Sequence, residues 1–192
     1  DQALVHGRPV RANRDRVAYV PQRDAVDWDF PITVGEVVEM GRYGHTGWIR
    51  RMPRSDRALV AECLERVGMS AYASRQIGQL SGGQRQRVFI ARALAQQAAV
   101  MVMDEPFAGV DARTEADILE LLGDLRGAGG SIIVVHHDLG TVRATFDWAL
   151  LINVRAVAAG PVAEVLKPEI LRHAYGAGAS ARMDEREARW AA

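Results

Sequence analysis

Short continuous apolar runs and helix-spaced apolar positions take turns along this chain. Residues 17–20 (VAYV), 100–103 (VMVM) and 132–135 (IIVV) are bounded by polar or turn residues and have the length of buried strands. Between them, apolar positions recur at helical spacing. Leu59, Cys63, Leu64 and Val67 share one face of a helix over 55–68, with Ser55 as its N-cap and Gly68 at its close. Val88, Ile90, Ala91, Leu94 and Ala95 form the inner stripe of a second helix. Ile118, Leu121, Leu122 and Leu125 do the same over 114–126, before a glycine-rich stop. Thr33-x-x-Glu36 is a capping box ahead of Val34, Val37, Val38 and Met40, so a short helix is expected there, closed by Gly41 or Gly44. Residues 1–15 are polar and broken by Gly7 and Pro9, like the end of a hairpin. Towards the other end, 149–152 and 156–159 read as strands around Asn153. A short helix over 162–166 breaks at Lys167-Pro168, helical turns over 169–175 follow, and 177–192 has the composition of a frayed tail.

Composition narrows the classes. The length suits one domain with a sizeable core, here residues 1–176, with a compact helical insertion over about 33–80. The formal net charge is zero, which gives no bulk attraction to nucleic acid or anionic lipid. The lone cysteine, Cys63, excludes an internal disulfide, suits a reducing cytoplasm and is expected as inert core on an apolar helix face. No apolar run approaches the roughly 18 residues of a membrane-crossing helix. The first residue is Asp1, so a processed chain, or one cut from something longer, is expected.

The candidate chemistry is concentrated between Leu80 and Asp111. Ser81-Gly82-Gly83-Gln84 is a polar turn opening a helix, where glycine lets backbone N–H groups approach an anion closely. The 100–103 run ends in Asp104-Glu105, two carboxylates at the C-terminal edge of a strand, where α/β sheets place ligands. The first is suited to holding Mg²⁺ through water, the second to orienting or deprotonating an attacking water. Arg85, Arg87 and Arg92 read as solvated or paired. His136 and His137 are adjacent after a strand, where successive side chains diverge, and no Cys/His pair accompanies them, so no metal site is expected there.

LSGGQ at 80–84, the following QRV and ARAL, and the strand ending in DEP at 104–106 together resemble the signature motif and Walker B of ABC-type ATPases. The resemblance implies an α/β fold of P-loop NTPase type: a core sheet with a helical subdomain. Its sheet order would be Q-loop strand, Walker B strand, switch-histidine strand, then the P-loop strand. It implies ATP and Mg²⁺ as ligands. Gln22, after Pro21, matches the Q-loop position that touches Mg²⁺ or the attacking water. Asp104 would hold Mg²⁺, Glu105 would be the general base, and His137 the switch histidine at the γ-phosphate. Asp111 would lie in the D-loop. Ser81, Gly82, Gly83 and Gln84 would close over ATP held by a second, identical subunit. For Trp28 and Phe30 the open readings are a satellite core or docking against a partner helix; for Trp48, a satellite core is expected.

The chain departs from the family at one place. Its only lysine is Lys167, and no G-x-x-x-x-G-K-[ST] segment occurs. The resemblance therefore covers about 17–176 and lacks the N-terminal, P-loop portion. Either the following strand slides over beside 132–135 or an apolar edge stays exposed there, and the 192 residues alone are expected to be poorly stable and inactive. VDWDFPITVGEVVEMGRYG, DEPFAGVD and AYG resemble the ATPase subunits of bacterial manganese, zinc or iron importers. Such a subunit sits peripherally at the cytoplasmic face of the membrane, works with permease subunits and indirectly with an extracytoplasmic metal-binding protein, and contacts no nucleic acid. None of its residues ligates the transported metal. Two other readings stay open: a soluble ABC ATPase of another role, and an inactive remnant.

Overall fold

The computed structural model describes residues 3–22, 28–47 and 51–175. Trp48 and the expected tail over 177–192 lie outside the described residues. The described part divides into two compact units, residues 1–135 and 136–192.

The first unit opens with the expected hairpin. Strands β1 (Leu4–Val5) and β2 (Arg8–Pro9) pair antiparallel around His6-Gly7, both of which have positive φ. The chain continues through β3 (Val17–Val20), α1 (Val34–Glu39), α2 (Tyr43–Thr46), α3 (Arg54–Arg66), α4 (Gly82–Ala95), β4 (Val100–Asp104), α5 (Ala112–Gly127) and β5 (Ser131–Val135). Strands β3, β4 and β5 form a parallel sheet in that order, with Val20 opposite Met103 and Asp104 opposite Val135. This is the α/β arrangement and the strand order that the motifs imply.

Helix α4 is the hub of the unit. It packs on α1, α3 and β3, and eight of its residues from Gln86 to Ala95 are buried. Its C-terminal half, Val88–Ala95, is apolar except for Arg92, as a core-packed stretch should be. The backbone of 32–35 lies along 73–77, through Ile77 N–H to Ile32 C=O (2.9 Å), Val34 N–H to Arg75 C=O (2.9 Å) and Gly35 N–H to Ala73 C=O (2.8 Å).

Local expectations hold in part. The Thr33/Glu36 capping box forms, but α1 does not stop at Gly41 or Gly44. A 3₁₀ turn (Met40–Arg42) and α2 carry the chain on to Gly47, whose φ is +74°. Gly41 serves close packing instead: a Cβ there would stand 2.3 Å from the Arg92 carbonyl oxygen. Helix α3 starts at Arg54 after Pro53, so Ser55 is inside it and caps nothing. Pro supplies a suitable φ without a side-chain bond. Gly68 closes α3 in the left-handed region, with Met69 N–H reaching Leu64 C=O at 2.8 Å. Strand β5 is not a fully buried strand. Ile132 and Val134 face the core, whereas Ile133 and Val135 are 54% and 53% exposed. Among the described residues it is the terminal strand of its sheet, and alternation puts Ile133 and Val135 on the face opposite the core.

The second unit contains α6 (Leu139–Thr145), the antiparallel pair β6 (Trp148–Asn153) and β7 (Arg155–Pro161), α7 (Val162–Val165) and α8 (Pro168–Tyr175). Val154, with φ +60°, makes the turn between the strands. Leu151, Val162, Val165, Leu166, Leu171 and Ala174 form its core. No helix among the described residues is long and apolar enough to cross a membrane.

Candidate functional site

The C-terminal edge of the parallel sheet gathers the polar chemistry of the first unit. Gln22 follows β3 after Pro21, Asp104 is the last residue of β4, and Glu105 comes next. Gln22 Nε2 donates to Glu105 Oε2 at 3.1 Å, a contact between half-buried side chains far apart in sequence. Parallel pairing of β3 with β4 brings their ends level and makes this contact possible. Glu105 has φ +44°, and its N–H donates to Val135 C=O at 3.1 Å, tying the turn to the end of β5. Buried Pro106 and Phe107 anchor the turn from below. A non-glycine residue held in the left-handed region stores about 1 kcal/mol or more, and such positions concentrate at functional sites.

The donor set fits Mg²⁺ held through substrate. Asp104 and Glu105 offer hard carboxylate oxygens, and no group of three or more His, Cys, Asp or Glu among the described residues forms a complete cage. Mg²⁺ typically takes one or two carboxylates and completes its octahedron with phosphate oxygens and water.

The Ser81–Gln84 turn is built by a reciprocal cap. Ser81 Oγ accepts from Gln84 N–H at 3.3 Å, and Gln84 Oε1 accepts from Ser81 N–H at 3.0 Å. Gly83 sits against the first turn of α5, where a Cβ would lie 3.0 Å from Thr114 Cγ2. Asp111 caps α5: its carboxylate accepts from Thr114 N–H (3.0 Å) and Thr114 Oγ1 (2.8 Å). Those bonds, the backbone one foremost, hold its carboxyl below the usual carboxylate range. The fold thus brings Gln22 to Glu105, and the Ser81–Gln84 turn to the helix that Asp111 caps.

His136 and His137 belong to the second unit. His136 is half-buried and His137 exposed, with ring centroids 5.5 Å apart. Asp138 caps α6, accepting from Gly140 N–H at 2.7 Å and Thr141 N–H at 3.2 Å.

The arginines of α4 are paired. Arg87 bridges to Asp117 at 2.6 Å. Arg85 lies over the Trp28 ring and donates to Gly78 C=O at 2.7 Å; Arg92 lies over Phe89 and donates to Tyr19 C=O at 3.0 Å. Sequence reading missed these partners. The only trace of them was the 85/89/92 spacing, which places the three residues on one helical face.

The family described as ABC transporter matches residues 1–108. A zinc transport system ATP-binding protein, TroB, of Treponema pallidum is 55% identical over 175 residues, covering 91% of this chain and 66% of that protein. A manganese transport system ATP-binding protein, MntB, of Halalkalibacterium halodurans is 54% identical, over 86% of this chain and 66% of that one. The chain thus spans just under two thirds of the length of these relatives. Among solved structures, a candidate metal-chelate type ABC transporter in an inward-facing conformation superposes with a TM-score of 0.76. It is 28% identical, with 83% of this chain and 64% of that one covered.

Proposed function

The chain belongs to the ABC transporter family, and on that basis we propose that it is part of the ATP-hydrolysing subunit of an importer for a transition-metal ion or metal chelate. The observation that carries the reading is the Gln22–Glu105 hydrogen bond at the end of the parallel sheet, 3.1 Å long, beside Asp104. The identity to the zinc and manganese system proteins supports the cargo class.

In this reading Glu105 takes the proton of the attacking water, and Gln22, already bonded to one of its oxygens, orients the carboxylate and that water. Asp104 would hold Mg²⁺, which when bound neutralises charge on the phosphates. His137 donates to the γ-phosphate. Ser81, Gly82, Gly83 and Gln84 present the N-terminus of α4, where the helix dipole favours an anion, to ATP held by a second copy of the subunit. Asp111 holds α5 in place between the two sites. The partners are a second subunit and membrane permease subunits, with an extracytoplasmic binding protein acting through them, and the location is the cytoplasmic face of the membrane. The 192 residues contain no phosphate-binding G-x-x-x-x-G-K-[ST] segment, so by themselves they turn over no ATP.

The test is Glu105→Gln in the complete polypeptide assembled with its permease. ATP hydrolysis falls by roughly 10²–10⁴ while ATP binding is retained. Turnover at the wild-type rate would remove Glu105 from the mechanism.

A further inference from the structure

One face of α4 grips the chain on both sides of Gln22. Tyr19 precedes Gln22 by three residues, and its carbonyl accepts from Arg92 Nη2 at 3.0 Å. Trp28 follows Gln22 by six residues, and its ring sits between Arg85 and Phe89. The Arg85 guanidinium lies 4.7 Å from the Trp28 centroid. Trp28 meets Phe89 edge-on, with centroids 5.5 Å apart at 71°. Arg92 closes the series 4.6 Å above Phe89. These α4 residues are spaced at 85, 89 and 92, so they form one stripe about two turns long.

The Trp28 backbone is docked as firmly as its ring. A Cβ on Gly78 would stand 2.8 Å from the Trp28 carbonyl oxygen, so this approach requires glycine. Arg85 donates to the Gly78 carbonyl at 2.7 Å, which joins the stack to the segment that leads into Ser81.

We propose that Trp28 is a positioning residue: the Arg85–Trp28–Phe89–Arg92 stack clips the Gln22-bearing segment to the helix that begins at Ser81–Gln84. Gln22's reach to Glu105 and the placement of the Ser81–Gln84 turn are then set together. The consequence for turnover rests on the ATPase reading; the mechanical link does not.

The experiment compares Trp28→Leu with Trp28→Phe in the complete polypeptide. Leucine keeps apolar bulk without the π face, while phenylalanine keeps a ring for Arg85 and Phe89. Amide hydrogen exchange at Gln84 and Arg85, both bonded to Ser81, rises about tenfold in Trp28→Leu and returns within about twofold in Trp28→Phe. Amides of α5 are unchanged. For ATP turnover, kcat falls about tenfold in Trp28→Leu with KM within about twofold, since Trp28 holds no nucleotide in this scheme. Arg92→Met, which removes the other grip, gives the same exchange pattern and serves if Trp28→Leu does not fold. Wild-type exchange at Gln84 and Arg85 in a folded Trp28→Leu or Arg92→Met, or a Trp28→Phe no better than Trp28→Leu, overturns the proposal. An inert wild-type protein sinks the ATPase reading, while the exchange result still decides the clip.

Discussion

Arg42 and Asp56 form a buried ion pair whose removal gives a quantitative test of how the helical part of the first unit is held. Arg42 Nη2 lies 3.2 Å from Asp56 Oδ1, with side chains only 9% and 12% exposed. Arg42 Nη1 also donates to Ala95 C=O at 2.9 Å and Gln97 Oε1 at 3.0 Å. One guanidinium therefore ties the first turn of α3 to the C-terminal end of α4. Asp56→Ala leaves that cation buried with neutral acceptors alone. Breaking a buried pair from one side costs about 3–5 kcal/mol, because the remaining charge stays desolvated. Replacing both partners, Arg42→Met with Asp56→Leu, removes the charge as well, and the loss falls to within about 2 kcal/mol. Urea unfolding followed by far-UV circular dichroism measures both. With a slope of about 2–3 kcal/mol/M, Asp56→Ala lowers the midpoint by roughly 1–2.5 M. A single-variant loss below about 1 kcal/mol, or a double variant as damaged as the two single losses added, would refute the reasoning.

Further outcomes follow from the same structure. Ser81→Ala removes the cap of α4 and lowers stability by about 1 kcal/mol, while Ser81→Asp retains it, as thermal unfolding will show. Glu105→Gly relieves the φ of +44° and raises stability by about 1 kcal/mol, while abolishing the hydrolysis assigned to Glu105. Burial, then the neighbouring Glu62 charge, pushes the Cys63 thiol up to about 11. The native protein therefore reacts slowly with a disulfide reagent at neutral pH. Its stability declines as pH rises from the usual 9 towards 11, because only the unfolded chain loses the proton there; Cys63→Ala removes that slope. Asp111 works in the opposite sense. Its carboxyl is held low by the Thr114 bonds, so the cap on α5 is complete above the ordinary carboxylate range and is lost as pH falls through the depressed value. Asp111→Asn keeps a cap and flattens that part of the acid-unfolding curve.

Much of the site was legible because its pieces are local. A capping box depends on residues three apart, so Thr33/Glu36 could be read and it forms; Ser81–Gln84 reads only as a polar turn opening a helix, and the structure adds its reciprocal cap. A four-residue apolar run ending in two acids announces a strand edge whatever surrounds it, and Asp104 ends β4 accordingly. The helix limits were less legible. Gly41 looked like a stop but is held inside the 3₁₀ turn by the Arg92 carbonyl, a neighbour some fifty residues away.

From the sequence alone came the three short strands and the main helices of the first unit, the Thr33/Glu36 cap, and the residue types gathered at Asp104-Glu105 and Ser81–Gln84, since hydrophobic period and cap chemistry act within a few residues. The helices over Tyr43–Thr46 and Leu139–Thr145 were not expected, and Ser55 caps nothing. Only the tertiary structure decided that Gln22 meets Glu105, that Glu105 is held at positive φ, that Arg42 and Asp56 pair in the core, and that Trp28 is gripped by Arg85 and Phe89. Each of these depends on residues brought together by the parallel pairing of β3 with β4 or by packing around α4. The spacing within one helix can place Arg85, Phe89 and Arg92 on a common face, but it does not name the partner, because each partner's position is set by a different element.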